Sequence, residues 1–79
     1  MSNYRAYYLG AHPTDVLTAQ ERHFPLRSTV AEAIADVQRA WHNPGHFDHE
    51  YATQLTVFEI DGDTVTERAV KVKREAVLL

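Results

Sequence analysis

The sequence predicts a small α+β domain in which one helix lies across a four-stranded antiparallel sheet, in the order ββαββ. Three features of the chain support this fold class: an aromatic strand-like segment near its start, a capped amphipathic helix at Ser28 to Trp41, and a tight hairpin signal at Asp61-Gly62-Asp63. The 79 residues are enough for a single domain, residues 1–79, and they contain no internal repeat.

Two strands are predicted before the helix. Aromatic residues between Tyr4 and Leu9 indicate the first strand, which ends before Gly10 and the His12-Pro13 pair. The second strand is predicted between Val16 and Phe24, where apolar residues at both ends flank a polar middle. Proline cannot donate a backbone hydrogen bond to a sheet, so Pro25 is expected at the end or edge of this strand.

The helix has a clear start and a clear stop. Ser28 and Thr29 can accept backbone N–H groups at its first turn, and Glu32 stands three residues after Thr29, as a capping box requires. Asn43-Pro44-Gly45 ends it, because proline disfavours the helical conformation of the residue before it. Apolar residues recur at three- and four-residue steps along one face: Val30, Ala33, Ile34, Val37 and Trp41.

Two further strands, at 51–60 and 64–74, are predicted on either side of the Asp61-Gly62-Asp63 turn. In the first of these strands, Leu55 and Val57 would lie on one face of the sheet, and Phe58 and Ile60 on the opposite face. A bulge, or burial on both faces of the sheet, would account for this pattern. The apolar segment 76–79 is expected to extend the last strand or to dock on a partner.

Composition excludes several classes of function. A net charge of −3 argues against general nucleic-acid binding, which depends on neutralising phosphates. The chain has no cysteine, which is typical of proteins in reducing compartments, and no apolar run approaches the roughly 20 residues that cross a bilayer. We therefore expect a cytoplasmic protein that binds neither a membrane nor nucleic acid directly.

The segment after the helix is rich in potential metal ligands. Histidine and carboxylate together can hold zinc, but Pro44-Gly45 interrupts the helix between the first two histidines, so the ligands are not held in place beforehand. We expect no metal, no cofactor and no catalytic residue; a metal-dependent hydrolase built on this loop is one alternative. The residues concerned are His42, His46, Asp48, His49 and Glu50.

Carboxylates spread over the domain predict a surface that binds a partner protein. Such a surface could dock into a basic groove and raise the association rate. Ordinary solubility is the simpler interpretation of the same charges. The predicted centre is Asp48, Glu50, Asp61 and Asp63, flanked by Glu32 and Asp36, and the competing candidate is the basic strip Lys71, Lys73 and Arg74.

The whole chain resembles the small anti-CRISPR proteins of phages and mobile elements that act on type I CRISPR-Cas effector complexes. The shared features are small size, absence of cysteine, a short aromatic first strand (Tyr4-Arg5-Ala6-Tyr7-Tyr8-Leu9), one capped helix (28–41) and a closing hairpin (61–63). This resemblance implies a compact, non-catalytic inhibitor that binds a Cas subunit and blocks DNA binding or nuclease recruitment in the host cytoplasm. It transfers no binding residue by motif.

The resemblance leaves open whether the protein is a monomer or a weak homodimer. The main alternative function is a small bacterial or phage regulatory domain that acts as a homodimer through its edge strand and apolar tail.

Trp41 is predicted to anchor the helix in the core. Trp41→Ala should therefore cost about 3–5 kcal/mol of the free energy of unfolding. Since small domains have only about 5–15 kcal/mol in total, the variant should be largely unfolded at moderate temperature. Thermal melting measures this. A variant that melts within a few degrees of the wild type would show that the apolar face is assigned wrongly.

Overall fold

A computed structural model describes the backbone of residues 2–42, 54–68, 70–72 and 76–78, and the side chains of residues 2–40 and 54–68. The elements are β1 (Asn3–Tyr8), α1 (Pro13–Leu17), α2 (Val30–His42), β2 (Leu55–Asp61), β3 (Thr64–Arg68), β4 (Val70–Val72) and β5 (Ala76–Leu78). The first three strands form an antiparallel sheet in the order β1-β2-β3, and β4 pairs with β5. An α+β domain with an antiparallel sheet is confirmed, whereas the four-stranded ββαββ arrangement is not.

The predicted strand between Val16 and Phe24 is wrong. Helix α1 occupies the start of this segment and turns follow it. Pro13 stands at the first helical position, where a missing N–H is harmless and the fixed φ angle suits a helix. The His12 side chain caps the helix by accepting the Thr14 N–H through Nδ1 at 3.2 Å. These start signals outweigh the apolar residues at the two ends of the segment.

Strand β2 is buried on both faces of the sheet, and this explains its irregular parity. Leu55 and Val57 pack in the core cluster that contains the buried residues of α2, while Phe58 and Ile60 pack with Val16 of α1. The register of β2 with both neighbouring strands is continuous, so no bulge is required. The sheet is therefore the middle layer of the domain, between α2 and the smaller α1.

A short segment bridges the outer edge of β1 at Tyr4. Tyr4 and Arg27 exchange both backbone hydrogen bonds, with N to O distances of 2.8 and 2.7 Å. This isolated bridge occupies backbone groups of β1 that would otherwise face solvent. The segment carries Phe24, whose ring contacts those of Tyr7 and Tyr8 edge-on.

The buried guanidinium of Arg5 fixes α1 and the turns after it to the sheet. Its Nε donates to the Phe24 carbonyl at 2.8 Å, and one Nη donates to the Val16 carbonyl at 2.9 Å. The other Nη forms an ion pair with Glu21 at 2.6 Å. The Val16 carbonyl lies in the last turn of α1, where carbonyls have no partner within the helix. Arg5 thus satisfies this helix end from the neighbouring strand.

The predicted hairpin is confirmed with a two-residue turn between β2 and β3. Gly62 has a φ of +61°, and no described residue other than glycine has a positive φ, so Asp63 does not. A positive φ at only the first turn position is the pattern of a type II′ turn, whose twist suits a hairpin. The last predicted strand, 64–74, is divided into β3 and β4, and the apolar tail contributes β5.

The described part of α2 packs as predicted. Ala33 and Val37 are fully buried, and Val30 and Ile34 lie partly buried against the same cluster. The backbone of Trp41 belongs to α2, but its side chain lies outside the described residues. Within the described ranges, no helix is long and apolar enough to cross a membrane.

Replacing Arg5 tests its role in holding α1. Arg5→Met keeps much of the side-chain length but leaves the Phe24 and Val16 carbonyls without their donor. We expect a loss of about 1–3 kcal/mol for each such carbonyl that stays buried, measured by urea denaturation. Arg22→Met is the matched control, because Arg22 is exposed and forms no ion pair with another described residue. Equal losses in the two variants would contradict the assignment.

Candidate binding surface

Two of the predicted acidic residues lie at an exposed and well-defined position. Asp61 ends β2 and Asp63 is the second residue of the turn, on either side of Gly62. Both are exposed, and neither forms an ion pair with another described residue. The type II′ geometry holds the backbone of both residues in a tight reversal. Their carboxylates are therefore presented to solvent from a rigid part of the sheet.

Two further carboxylates lie on β3 and α1, which contact each other. Glu67 is paired with Phe58 across the β2–β3 ladder, on the face of the sheet that α1 covers. Asp15 precedes Val16, which packs against the cluster containing Ile60, the residue before Asp61. Both carboxylates are exposed and without an ion pair among the described residues. We call the four residues the acidic end: Asp15, Asp61, Asp63 and Glu67.

Sequence analysis missed Asp15 and Glu67 as members of the surface. Asp15 belongs to a segment for which no helix was predicted, so its proximity to the hairpin depends on α1 packing back onto the sheet. Glu67 could have been placed from sequence, because it has the same strand parity as Val65 and a hairpin closed at Asp61 and Thr64 sets it opposite Phe58.

Glu32 is exposed but engaged at the start of α2. Its Oε1 accepts hydrogen bonds from the hydroxyls of Thr29 at 2.9 Å and Ser28 at 3.0 Å, and its own N–H donates to Thr29 Oγ1 at 3.2 Å. The hydroxyl of Thr29, followed by that of Ser28, lowers the pKa of the Glu32 carboxyl, because both bonds favour its charged form. The predicted cap by Thr29 is confirmed.

Asp36 is buried, and two arginines neutralise it. Its side chain is 5 % exposed. Arg27 donates to both carboxylate oxygens at 2.7 and 2.8 Å, and Arg39 donates at 2.7 Å. The hydrogen bond and the charge of Asp36 raise the pKa of Arg27. The carboxylate of Asp36 thus ties the segment that bridges β1 to α2, and little of it can reach a partner.

Internal ion pairs occupy most of the described arginines. Of the five arginines with described side chains, four pair with carboxylates of the chain, namely Arg5, Arg27, Arg39 and Arg68. Arg68 pairs with Glu59 at 3.4 Å. Asp15, Asp61, Asp63 and Glu67 have no such ion pair among the described residues.

Several predicted positions lie outside the described residues. These include the central acidic residues Asp48 and Glu50, and the histidine-rich loop with its possible metal ligands. Among the residues that are described, no three histidine or carboxylate side chains lie close enough together to hold a metal ion. The side chains of the basic strip, Lys71, Lys73 and Arg74, also lie outside them.

Comparisons with known protein families, with characterised proteins and with solved structures found no match to this chain.

The pH dependence of stability tests the role of Glu32. Because the folded state lowers the pKa of this carboxyl, its contribution is present above the ordinary pKa of the unfolded chain and is lost as the pH falls through the lowered value. Glu32→Gln should therefore be less stable than the wild type at pH 7, and the difference should shrink in acid.

Urea denaturation at a series of pH values provides the measurement. Glu67→Gln is the control, since Glu67 is an exposed carboxylate at no helix start. The same pH-dependent difference in both variants would show that Glu32 has no special role.

Proposed function

We propose that this protein is a non-catalytic inhibitor that binds a basic surface of a partner protein through its acidic end. One observation supports this most: most described arginines are paired internally, whereas Asp15, Asp61, Asp63 and Glu67 have no ion pair among the described residues. Uncompensated charge of one sign steers a partner of opposite charge and raises the association rate.

The rigidity of the acidic end also favours binding. Asp61 and Asp63 belong to a two-residue turn, and Asp15 lies on α1, which Arg5 fixes to the sheet. Ordering a flexible loop on association costs free energy, whereas groups that are already in place avoid this cost. A pre-organised set of carboxylates suits recognition of lysine and arginine side chains.

A subunit of a type I CRISPR-Cas effector complex is the partner that we propose. Such complexes hold nucleic acid, and a groove built for phosphates offers the basic surface that a set of carboxylates complements. The resemblance to anti-CRISPR proteins points to the same partner. Binding would then block target DNA binding or nuclease recruitment. Asp48 and Glu50 stay in the proposed surface on the sequence argument.

A pull-down of type I effector subunits with this protein tests the proposal, followed by DNA binding of the effector with and without it. We expect a subunit to be retained and DNA binding to fall. Asp61→Asn with Asp63→Asn should slow association roughly tenfold or more and weaken its salt dependence. Asparagine keeps the size of each side chain and suits a turn next to glycine.

A matched control changes the net charge equally but elsewhere. Gln20→Lys with Ala31→Lys also makes the chain less negative by two charges, at exposed positions on the turn after α1 and on α2. Association should change much less in this variant. If no effector subunit is retained, the partner is wrong. If one is retained and both double variants behave alike, the acidic end is wrong and the basic strip becomes the candidate.

A further inference from the structure

The two edges of the sheet differ in how they are covered. On the β1 edge, the bridge to Arg27 occupies the outward backbone N–H and C=O of Tyr4. On the other side of the sheet, β3 pairs only with β2 among the described residues, and four of its five residues are exposed. An uncovered edge strand can pair with another strand through its free backbone groups.

The register shows which backbone groups of β3 point outward. Tyr4 directs its N–H and C=O away from β2, toward Arg27, so Tyr4 and Glu59 form a pair without mutual hydrogen bonds. Alternation then makes Glu59 and Thr66 a hydrogen-bonded pair. The hydroxyl of Thr56 on β2 reaches the Arg68 carbonyl at 2.8 Å, which agrees with this parity.

It follows that the N–H and C=O groups of Val65 and Glu67 point away from β2. We propose that a second copy of this chain pairs antiparallel with β3 there, across a two-fold axis at Thr66. Val65 of each protomer then stands opposite Glu67 of its partner and exchanges both backbone hydrogen bonds with it. The two three-stranded sheets become one continuous sheet.

The side chains of β3 select this register over its neighbours. An axis at Glu67 would place two copies of this carboxylate directly opposite each other. An axis at Val65 would place Asp63 opposite Glu67. Like charges directly opposite destabilise a strand pair. With the axis at Thr66, threonine faces threonine and Thr64 faces Arg68, so no like charges are opposed.

The proposed contact is small. One short strand from each protomer buries less than the roughly 1,200 Å² that separates stable interfaces from transient ones. The dimer should therefore form and dissociate readily and depend on protein concentration.

Cysteine cross-linking tests the position of the axis. Because the sequence contains no cysteine, any disulfide must involve the introduced residue. In the proposed dimer, Thr66 forms a pair without mutual hydrogen bonds, with Cα atoms about 4.5 Å apart, a distance that a disulfide can span. Thr66→Cys should form a covalent dimer under mild oxidation.

Thr64→Cys is the matched control, because Thr64 is exposed on the same face of the same strand. Its own copy would lie about four residues away along the strand, roughly 13 Å. We expect Thr66→Cys to cross-link at least tenfold faster than Thr64→Cys at equal protein concentration. Equal rates, or no cross-linked dimer of Thr66→Cys at high concentration, would overturn the proposal.

Sedimentation of a proline variant tests the backbone pairing. Glu67→Pro removes an N–H that points outward, so the bonds between β2 and β3 are kept, and proline is acceptable on an edge strand. Glu67→Ala removes the same carboxylate but keeps the N–H. Concentration-dependent dimerisation should be lost in the first variant and retained in the second. Equal dimerisation of the two would overturn the proposal, and thermal melting verifies that both are folded.

Discussion

The buried guanidinium of Arg5 is the constraint on which much of the fold depends. A charge removed from water is costly unless hydrogen bonds surround it. The partners of Arg5 come from α1, the turns after it and the segment that bridges β1. Among the described residues, no buried polar side-chain atom lacks a partner. The packing of the first third of the chain against β1 therefore supplies the Arg5 guanidinium with its hydrogen-bond partners.

This constraint also explains which elements could be predicted from sequence. Helix α2 and the β2–β3 hairpin depend on local signals, a cap at Thr29 and a glycine at the first turn position, and both were predicted. The segment after Gly10 carries weaker local signals. Its position depends on bonds from Arg5, which is 19 residues from Phe24 in the chain. Likewise, the sequence shows apolar residues on both faces of β2. The reason for this pattern, that α1 covers the second face of the sheet, depends on the tertiary structure.

The residues of the candidate surface likewise differ in whether the sequence alone could predict their exposure. Asp61 and Asp63 could be placed from sequence, because a hairpin turn is exposed by its nature. The burial of Asp36 could not be predicted from sequence. The apolar pattern of α2 does not show that Arg27 lies close enough to pair with this carboxylate. Ion pairing thus engages the buried Asp36, whereas Asp15, Asp61, Asp63 and Glu67 are exposed and have no ion pair among the described residues.

The same ion pairing bears on the two edges of the sheet. The backbone of Arg27 bridges Tyr4, and its side chain binds Asp36. The same residue therefore pairs with the β1 edge and neutralises the carboxylate on α2. Strand β3 has no such bridging segment among the described residues, and its charged side chains, Glu67 and Arg68, discourage most strands from pairing with it. They discourage its own copy least, because in one register neither residue meets a like charge. An edge strand whose charges disfavour pairing with other strands, but not with its own copy in one register, can support a transient dimer without promoting aggregation.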